Sequence, residues 1–239
     1  IRSSPSPRGL SVHSKPMSEP DRTPTEAPPE TTLDPEDLLE EEAPVEAPAG
    51  RLDEETIRRR EAALAQIVQY GDPVLKSRAS DVTEFDEELA REIERMIELM
   101  RDGLGVGLAA TQVGKLRRLL VFQPNTDAEP QELVNPEIEW LSDEAEVATE
   151  GCLSIPRVVV DVERPLFARV RGRDRRGAEV VIEASGFEAR VLQHEIDHLD
   201  GVLILDRTER AQRRGAMKAL RRGESYSPPE PEPEGEDSE

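Results

Sequence analysis

Proline and charge are distributed so unevenly along this sequence that only its middle can build a core. Residues 1–50 hold ten prolines and eleven acids against four basic side chains, and residues 224–239 hold four prolines and seven acids with no Lys or Arg. Such segments bury too little apolar surface to offset roughly 1–2 kcal/mol per residue of backbone ordering entropy, so both are expected to be disordered. The intervening residues 51–223 are an ordinary size for one domain with a workable core.

The charge balance excludes further classes. The 52 acidic and 31 basic side chains leave a net charge of −21. Affinity for nucleic acid comes mainly from Lys and Arg neutralising phosphates, so DNA is not an expected partner. No apolar run approaches the roughly 20 residues of a membrane-spanning helix, and no stretch has the order of a secretory signal, so a soluble protein without a membrane partner is expected. The sequence opens on Ile1, with Met17 as an alternative start. Residues 1–17 contain Ser, Pro and Arg without acids, a faint likeness to an organellar transit segment, but they show no amphipathic apolar face. An upstream extension or plain disorder is the preferred reading.

Within the central region, Ile57, Leu64, Ile67 and Val68 recur at near-helical spacing over 54–70, before Gly71-Asp72-Pro73. Leu89, Ile93, Met96, Ile97 and Met100 predict a strongly amphipathic helix, started by Asp86 and ended by Gly103. Strand-like texture follows at 119–122, 138–141 and 158–162, then at 168–171 and 179–182, joined as a hairpin through Asp174–Gly177. Helical spacing returns over 187–199 and 208–220. The order predicts an α+β fold: mixed, mainly antiparallel strands around a central helix, with a C-terminal helix.

The central helix would carry His194-Glu195-Ile196-Asp197-His198, an H-E-x-x-H pattern. Histidines four apart project from one helix face and can share one metal ion, with Glu195 one step round. An amphipathic helix with two surface histidines would show the same pentapeptide. Yet the sequence has three histidines and His13 lies in the proline-rich end, so both histidines of the central region fall in this motif. The single cysteine, Cys152, excludes internal disulfides and a Cys-x-x-Cys zinc site. It sits in Glu150-Gly151-Cys152-Leu153-Ser154, an odd mix for a buried strand, although a lone cysteine is ordinarily an inert core residue. A third element, Gly105–Gln112, lacks a G-K-[ST] ending and a dinucleotide fingerprint, so it is not a phosphate loop.

In this order the three elements resemble the peptide deformylases, a family marked by G-x-G-x-A-A-x-Q, E-G-C-L-S and Q-H-E-x-x-H. These stand here as Gly105–Gln112, Glu150–Ser154 and Gln193–His198, unbroken. The likeness covers about residues 64–208. It implies that Cys152, His194 and His198 hold one divalent metal ion, leaving a fourth position for water whose pKa the metal lowers. Glu195 would take the water's proton and deliver it to the departing amine. The Gln112 amide and the Leu153 N–H would meet the oxyanion. Gly107 and Gly151 would let the substrate backbone pair in strand fashion. Val106, Glu150, Phe187, Arg190 and Val191 would line the methionine pocket, although an arginine on a helix is ordinarily solvated.

The reaction so implied removes the N-formyl group from the formyl-methionine of nascent polypeptides, releasing formate. The family commonly uses Fe2+, with Ni2+ or Co2+ as effective substitutes and Zn2+ less active. An exposed ferrous thiolate fits a reducing compartment, and the bacterial cytoplasm is favoured over an organelle. Two competing readings are a zinc endopeptidase, which would draw its third ligand from beyond His198, and a catalytically silent relative whose acidic ends recruit partners. Arg207, Arg210, Arg213, Arg214, Lys218, Arg221 and Arg222 make the last helix basic. It would either dock on the ribosome or balance the acidic segment that follows.

Overall fold

The computed structural model describes residues 52–125 and 127–229. Residues 1–50, with their expected disorder and possible transit character, lie outside the described residues. The order is α1 (Glu54–Leu64), α2 (Glu87–Asp102), β1 (Gly107–Ala109), β2 (Leu119–Phe122), β3 (Gln131–Leu141), β4 (Ala145–Gly151), β5 (Val159–Pro165), β6 (Phe167–Arg173), β7 (Glu179–Ser185), α3 (Gly186–Leu199), α4 (Ile204–Arg207) and α5 (Arg210–Arg222). Single 3-10 turns occupy Pro73–Lys76 and Ala110–Val113.

Five antiparallel strands form one sheet in the order β1-β2-β3-β6-β7, and β4 and β5 form a separate antiparallel pair. The expected α+β arrangement is present, with α3 central. β2 shows how the layers are built, because both of its faces are apolar. Leu119 and Val121 pack with α2 residues Leu89, Ile93, Met96 and Met100, whereas Leu120 and Phe122 pack with Leu192, Ile196 and Leu199 of α3. A strand covered on both sides needs apolar residues at every position, and all four are fully buried. Towards β6 one face becomes wet. Ala168 and Val170 point into the core, while Arg169 and Arg171 pair with Glu137 and Glu139 of β3 on the other face.

α2 follows the sequence pattern closely. The Asp86 carboxylate accepts the Leu89 N–H at 2.9 Å, and Gly103 is the C-cap. α1 is shorter than its periodicity predicts. It stops at Leu64 because the following backbone is drawn into tertiary contacts, with Val68 N–H donating to Gln112 O at 2.7 Å and Tyr70 N–H to Ser154 O at 2.8 Å. The expected helix over 208–220 is likewise divided, since Thr208 is extended and separates α4 from α5.

The segment 224–239 begins in an ordered state. Tyr226 N–H donates to Arg157 O at 2.9 Å, and Val159 N–H donates to Tyr226 O at 3.0 Å, so the chain lies along the start of β5. The Tyr226 ring occupies the space over Gly215 of α5, where any Cβ would collide with it. Tyr226, the one aromatic residue after 223, thus holds six residues, 224–229, that composition alone assigns to a disordered end.

Candidate metal centre and its cleft

α3 is buried along most of its length because it lies between the five-stranded sheet and β5, and this places H-E-x-x-H in the interior. Cys152 arrives from another direction. β4 ends at Gly151, and a turn closed by Ile155 N–H to Cys152 O at 2.9 Å aims the thiol at α3. The donor atoms of Cys152, His194 and His198 all lie within 4.8 Å of one another. Cys152 Sγ is 3.2 Å from His198 Nε2, and the two imidazole rings are 5.0 Å apart at 67°.

Each ring is oriented differently. His194 Nδ1 is 2.9 Å from Glu150 Oε2, an arrangement in which Nδ1–H donates to the carboxylate and Nε2 is left free. His198 presents Nε2 to the thiol, while its buried Nδ1 has no partner among the described residues. A soft sulfur and two imidazole nitrogens make a donor set suited to a divalent transition metal. The electrostatics agree. Burial works against a charged His194, yet Cys152 and Glu150 raise its pKa well above the usual value. Burial, and then the charge of His194, push His198 well below its usual value. Protonation of both rings together is therefore disfavoured.

Glu195 stands beside them without touching the cluster as a ligand. Burial pushes its pKa up to about 7, against the lowering effect of His194 and Arg164. Its Oε2 is buried and has no hydrogen-bond partner among the described residues. Gly107 of β1 runs directly over this carboxylate, and a Cβ there would overlap it. Glycine at 107 is thus a requirement of space.

Gln112, on the 3-10 turn after β1, has a fixed orientation. Its Oε1 accepts the Ala109 N–H at 2.8 Å, so its NH2 end must face Cys152 Sγ at 3.7 Å and Ser154 Oγ at 3.3 Å. Leu153 lines the same cavity, and its N–H has no hydrogen-bond acceptor among the described residues. The cavity, about 390 Å³, is also lined by Val106, Gly107, Glu150, Gly151, Phe187, Arg190, Val191, His194 and Glu195. All the site residues drawn from the sequence surround it except His198, which lies behind the thiol.

Two of those residues have little freedom to meet a ligand. Arg190 is buried, where a helix arginine is ordinarily solvated. Its guanidinium donates to Glu150 Oε1 at 2.8 Å, Val162 O at 2.9 Å and Glu146 O at 2.8 Å. Glu150 also accepts from Arg164 Nε at 2.6 Å and Nη2 at 3.0 Å. Burial alone would raise the Glu150 carboxyl, but His194 and Arg164 outweigh it and hold it well below the carboxylate range. Arg164 was invisible to motif reading, and it extends the network to Asp197 at 2.9 Å, which Arg207 grips with two further hydrogen bonds. A signal for it does exist. Val160, Val162 and Arg164 are alternate residues on the inward face of β5, continuing from buried Val158 just before the strand, and a charge in that inward row demands a buried partner.

A family model described as Polypeptide deformylase matches residues 64–214. The peptide deformylase of Thermotoga neapolitana is 51% identical over 151 residues, covering 63% of this chain and 91% of that protein. Peptide deformylase 1 of Corynebacterium glutamicum is 46% identical over 165 residues, covering 66% and 95%. Among solved structures, the Thermotoga maritima peptide deformylase aligns with a TM-score of 0.58 at 50% identity, covering 60% of this chain and 96% of that one. The Synechococcus elongatus enzyme in complex with actinonin aligns with a TM-score of 0.62 at 40% identity, covering 66% and 88%. The matched span contains both sheets, α3 and every residue of the Cys152, His194 and His198 cluster, and on that match the chain belongs to the polypeptide deformylase family.

Proposed function

We infer that this chain hydrolyses the N-formyl group from the formyl-methionine that begins nascent polypeptides, releasing formate and a free amino terminus. The observation that carries the reading is the convergence of three different groups on one cleft: a Cys/His/His cluster, a buried Glu195 poised near neutrality, and a Gln112 amide whose donor end cannot turn away. Cys152, His194 and His198 would hold a divalent cation, which would supply Lewis acidity towards water and carbonyl oxygen.

The remaining work falls to the side chains. Glu195, with a pKa of about 7, can accept a proton from the attacking water and return it to the leaving amine. Gln112 Nε2 and the Leu153 N–H supply donors for the developing oxyanion. Among the described residues β1 is an edge strand and β4 pairs only with β5, so Gly107 and Gly151 offer two backbone edges to an extended peptide. Val106, Phe187 and Val191 give the methionine side chain an apolar wall, which Glu150 and Arg190 buttress from behind.

The donor set favours Fe2+, with Ni2+, Co2+ or Zn2+ as substitutes, and a ferrous thiolate favours a reducing cytoplasm. No helix among the described residues is long and apolar enough to cross a membrane. An endopeptidase would need a further ligand after His198. Of the carboxylates Asp200, Asp206 and Glu209, Asp200 pairs with Arg78 and Arg118 and Asp206 pairs with Lys76 and Arg213, and none of the three sits in a downstream ligand motif. We assign the catalytic domain to residues 51–223, held at its end by Tyr226. α5 is a candidate ribosome-docking helix, since exposed Arg210, Arg214, Lys218 and Arg221 have no ion-pair partner among the described residues, and phosphates would supply one.

Metal-loaded protein should release formate from formyl-Met-Ala-Ser and leave casein intact. If the peptide is untouched, the reading fails. Casein cleavage would favour the endopeptidase. Co-sedimentation with ribosomes at two salt concentrations should weaken when those four cations are changed to Gln, and unchanged binding would discard the docking role.

A further inference from the structure

The cleft has two ends of opposite character. At the inner end, every charge except that of Glu195 is engaged. The outer end is lined by Arg60 of α1, Leu104 of the turn after α2, and Pro156-Arg157 beyond the cysteine turn. Arg60 and Arg157 are exposed, and neither guanidinium has an ion-pair or hydrogen-bond partner among the described residues. The contrast is local, because neighbouring Arg58 and Arg59 pair with Glu55 and Asp102. In a chain with 52 acidic side chains, two unneutralised guanidiniums at one opening stand out from their surroundings.

The backbone at this opening is held in place. Leu104 and Arg157 have φ of 58° and 65°, and with Asn135 they are the non-glycine residues of left-handed conformation among those described. Such conformations cost about 1–3 kcal/mol each and persist only where surrounding structure imposes them. At Arg157 the imposing element is the Tyr226 segment, whose N–H donates to the Arg157 carbonyl and whose carbonyl accepts the Val159 N–H. Arg60 and Tyr226 both lie outside the family match at 64–214, so flanking residues help to build the opening.

We propose that Arg60 and Arg157 read the residues following the initiator methionine and favour acidic side chains there. This rests on the deformylase reading. With the formyl group beside Cys152 and Glu195, the rest of the peptide must leave through the open end, past both guanidiniums. Selection would act on kcat/KM as the free peptide enters.

The test compares kcat/KM for formyl-Met-Ala-Glu-Ser and formyl-Met-Ala-Lys-Ser, with formyl-Met-Ala-Ser as the neutral standard. The full metal-loaded chain is assayed at 0.05 M and 1 M NaCl. The glutamate peptide should exceed the lysine peptide about fivefold at low salt, the scale of exposed ion pairs. The ratio should shrink at 1 M, where the screening length falls to about 3 Å. It should decline in Arg60→Gln and in Arg157→Gln, approach one in the double variant, and persist in the Arg→Lys versions, an outcome that mere loop support would not produce. A ratio of one in the unmodified chain, a ratio surviving the double variant, or one indifferent to salt overturns the proposal while the neutral standard is still deformylated. Failure to deformylate the neutral standard overturns the deformylase reading and this proposal with it.

Discussion

The interior behind the metal ligands and the mouth of the cleft treat charge in opposite ways. Behind the ligands, Glu150, Arg164, Arg190, Asp197 and Arg207 are all paired, most of them buried, so that no group can move without stranding another. At the mouth, Arg60 and Arg157 are exposed and have no partner among the described residues. Saturated charge fixes geometry, whereas unsaturated charge is available to a visitor. Glu195 belongs to the first region by burial and to the second by an oxygen that has no partner among the described residues, as expected of a group that must exchange a proton.

The comparison is broken most severely by removing the one inner carboxylate that is free to act. Glu195→Ala should lower kcat by about 10²- to 10⁴-fold in the formate assay. Metal content measured by elemental analysis should stay at that of the unmodified protein, and loss of metal would make Glu195 a ligand instead. Next in size is Arg164→Leu, which leaves Glu150 and Asp197 buried with fewer partners. Denaturant titration should show a loss of about 3–5 kcal/mol, and the lost orientation of His194 should weaken metal affinity by about 10- to 100-fold. A change under 1 kcal/mol would mean that the inner network is not closed.

Gly107→Ala sharpens the boundary between the two regions, since the added methyl falls on the Glu195 carboxylate. We expect kcat to fall by about tenfold or more through displacement of that group, with a much smaller change in melting temperature. The smallest effect belongs to a pair far from both regions. Glu132 is held below its ordinary value of 4.5 by hydrogen bonds from Arg175, which outweigh its partial burial. Its folded pKa is thus depressed, so its contribution is present above 4.5 and disappears as the pH falls through the lower folded value. Melting curves of the unmodified protein and Glu132→Gln should differ at pH 7 and draw together as the pH falls from 4.5 through the lower folded value. A constant gap would remove Glu132 from the pH response.

Local rules carried much of the fold. Asp86, the apolar spacing of α2 and the Asp174–Gly177 turn each act within a few residues, and their elements form where the spacing places them. The ligand cluster was legible for a different reason: scarcity. With one cysteine and two central histidines, few arrangements were available. What remained hidden depends on partners distant in sequence. Arg190 is buried because Glu150 and two β-strand carbonyls receive it, and α1 ends early because Gln112 captures Val68. Neither partner can be inferred from neighbours along the chain. The left-handed Leu104 and Arg157 carry no residue-type signal at all.

The Tyr226 contact also matters to anyone who cuts or fuses this polypeptide. Trimming at Gly223 to discard the acidic end would strip a hydrogen-bonded strap from β5, uncover Gly215 and release the backbone beneath Arg157. A cleavage site or fusion partner placed after Pro229 spares all three. Shortened versions ending on either side of Tyr226 would therefore be different enzymes at the cleft, although neither loses a metal ligand.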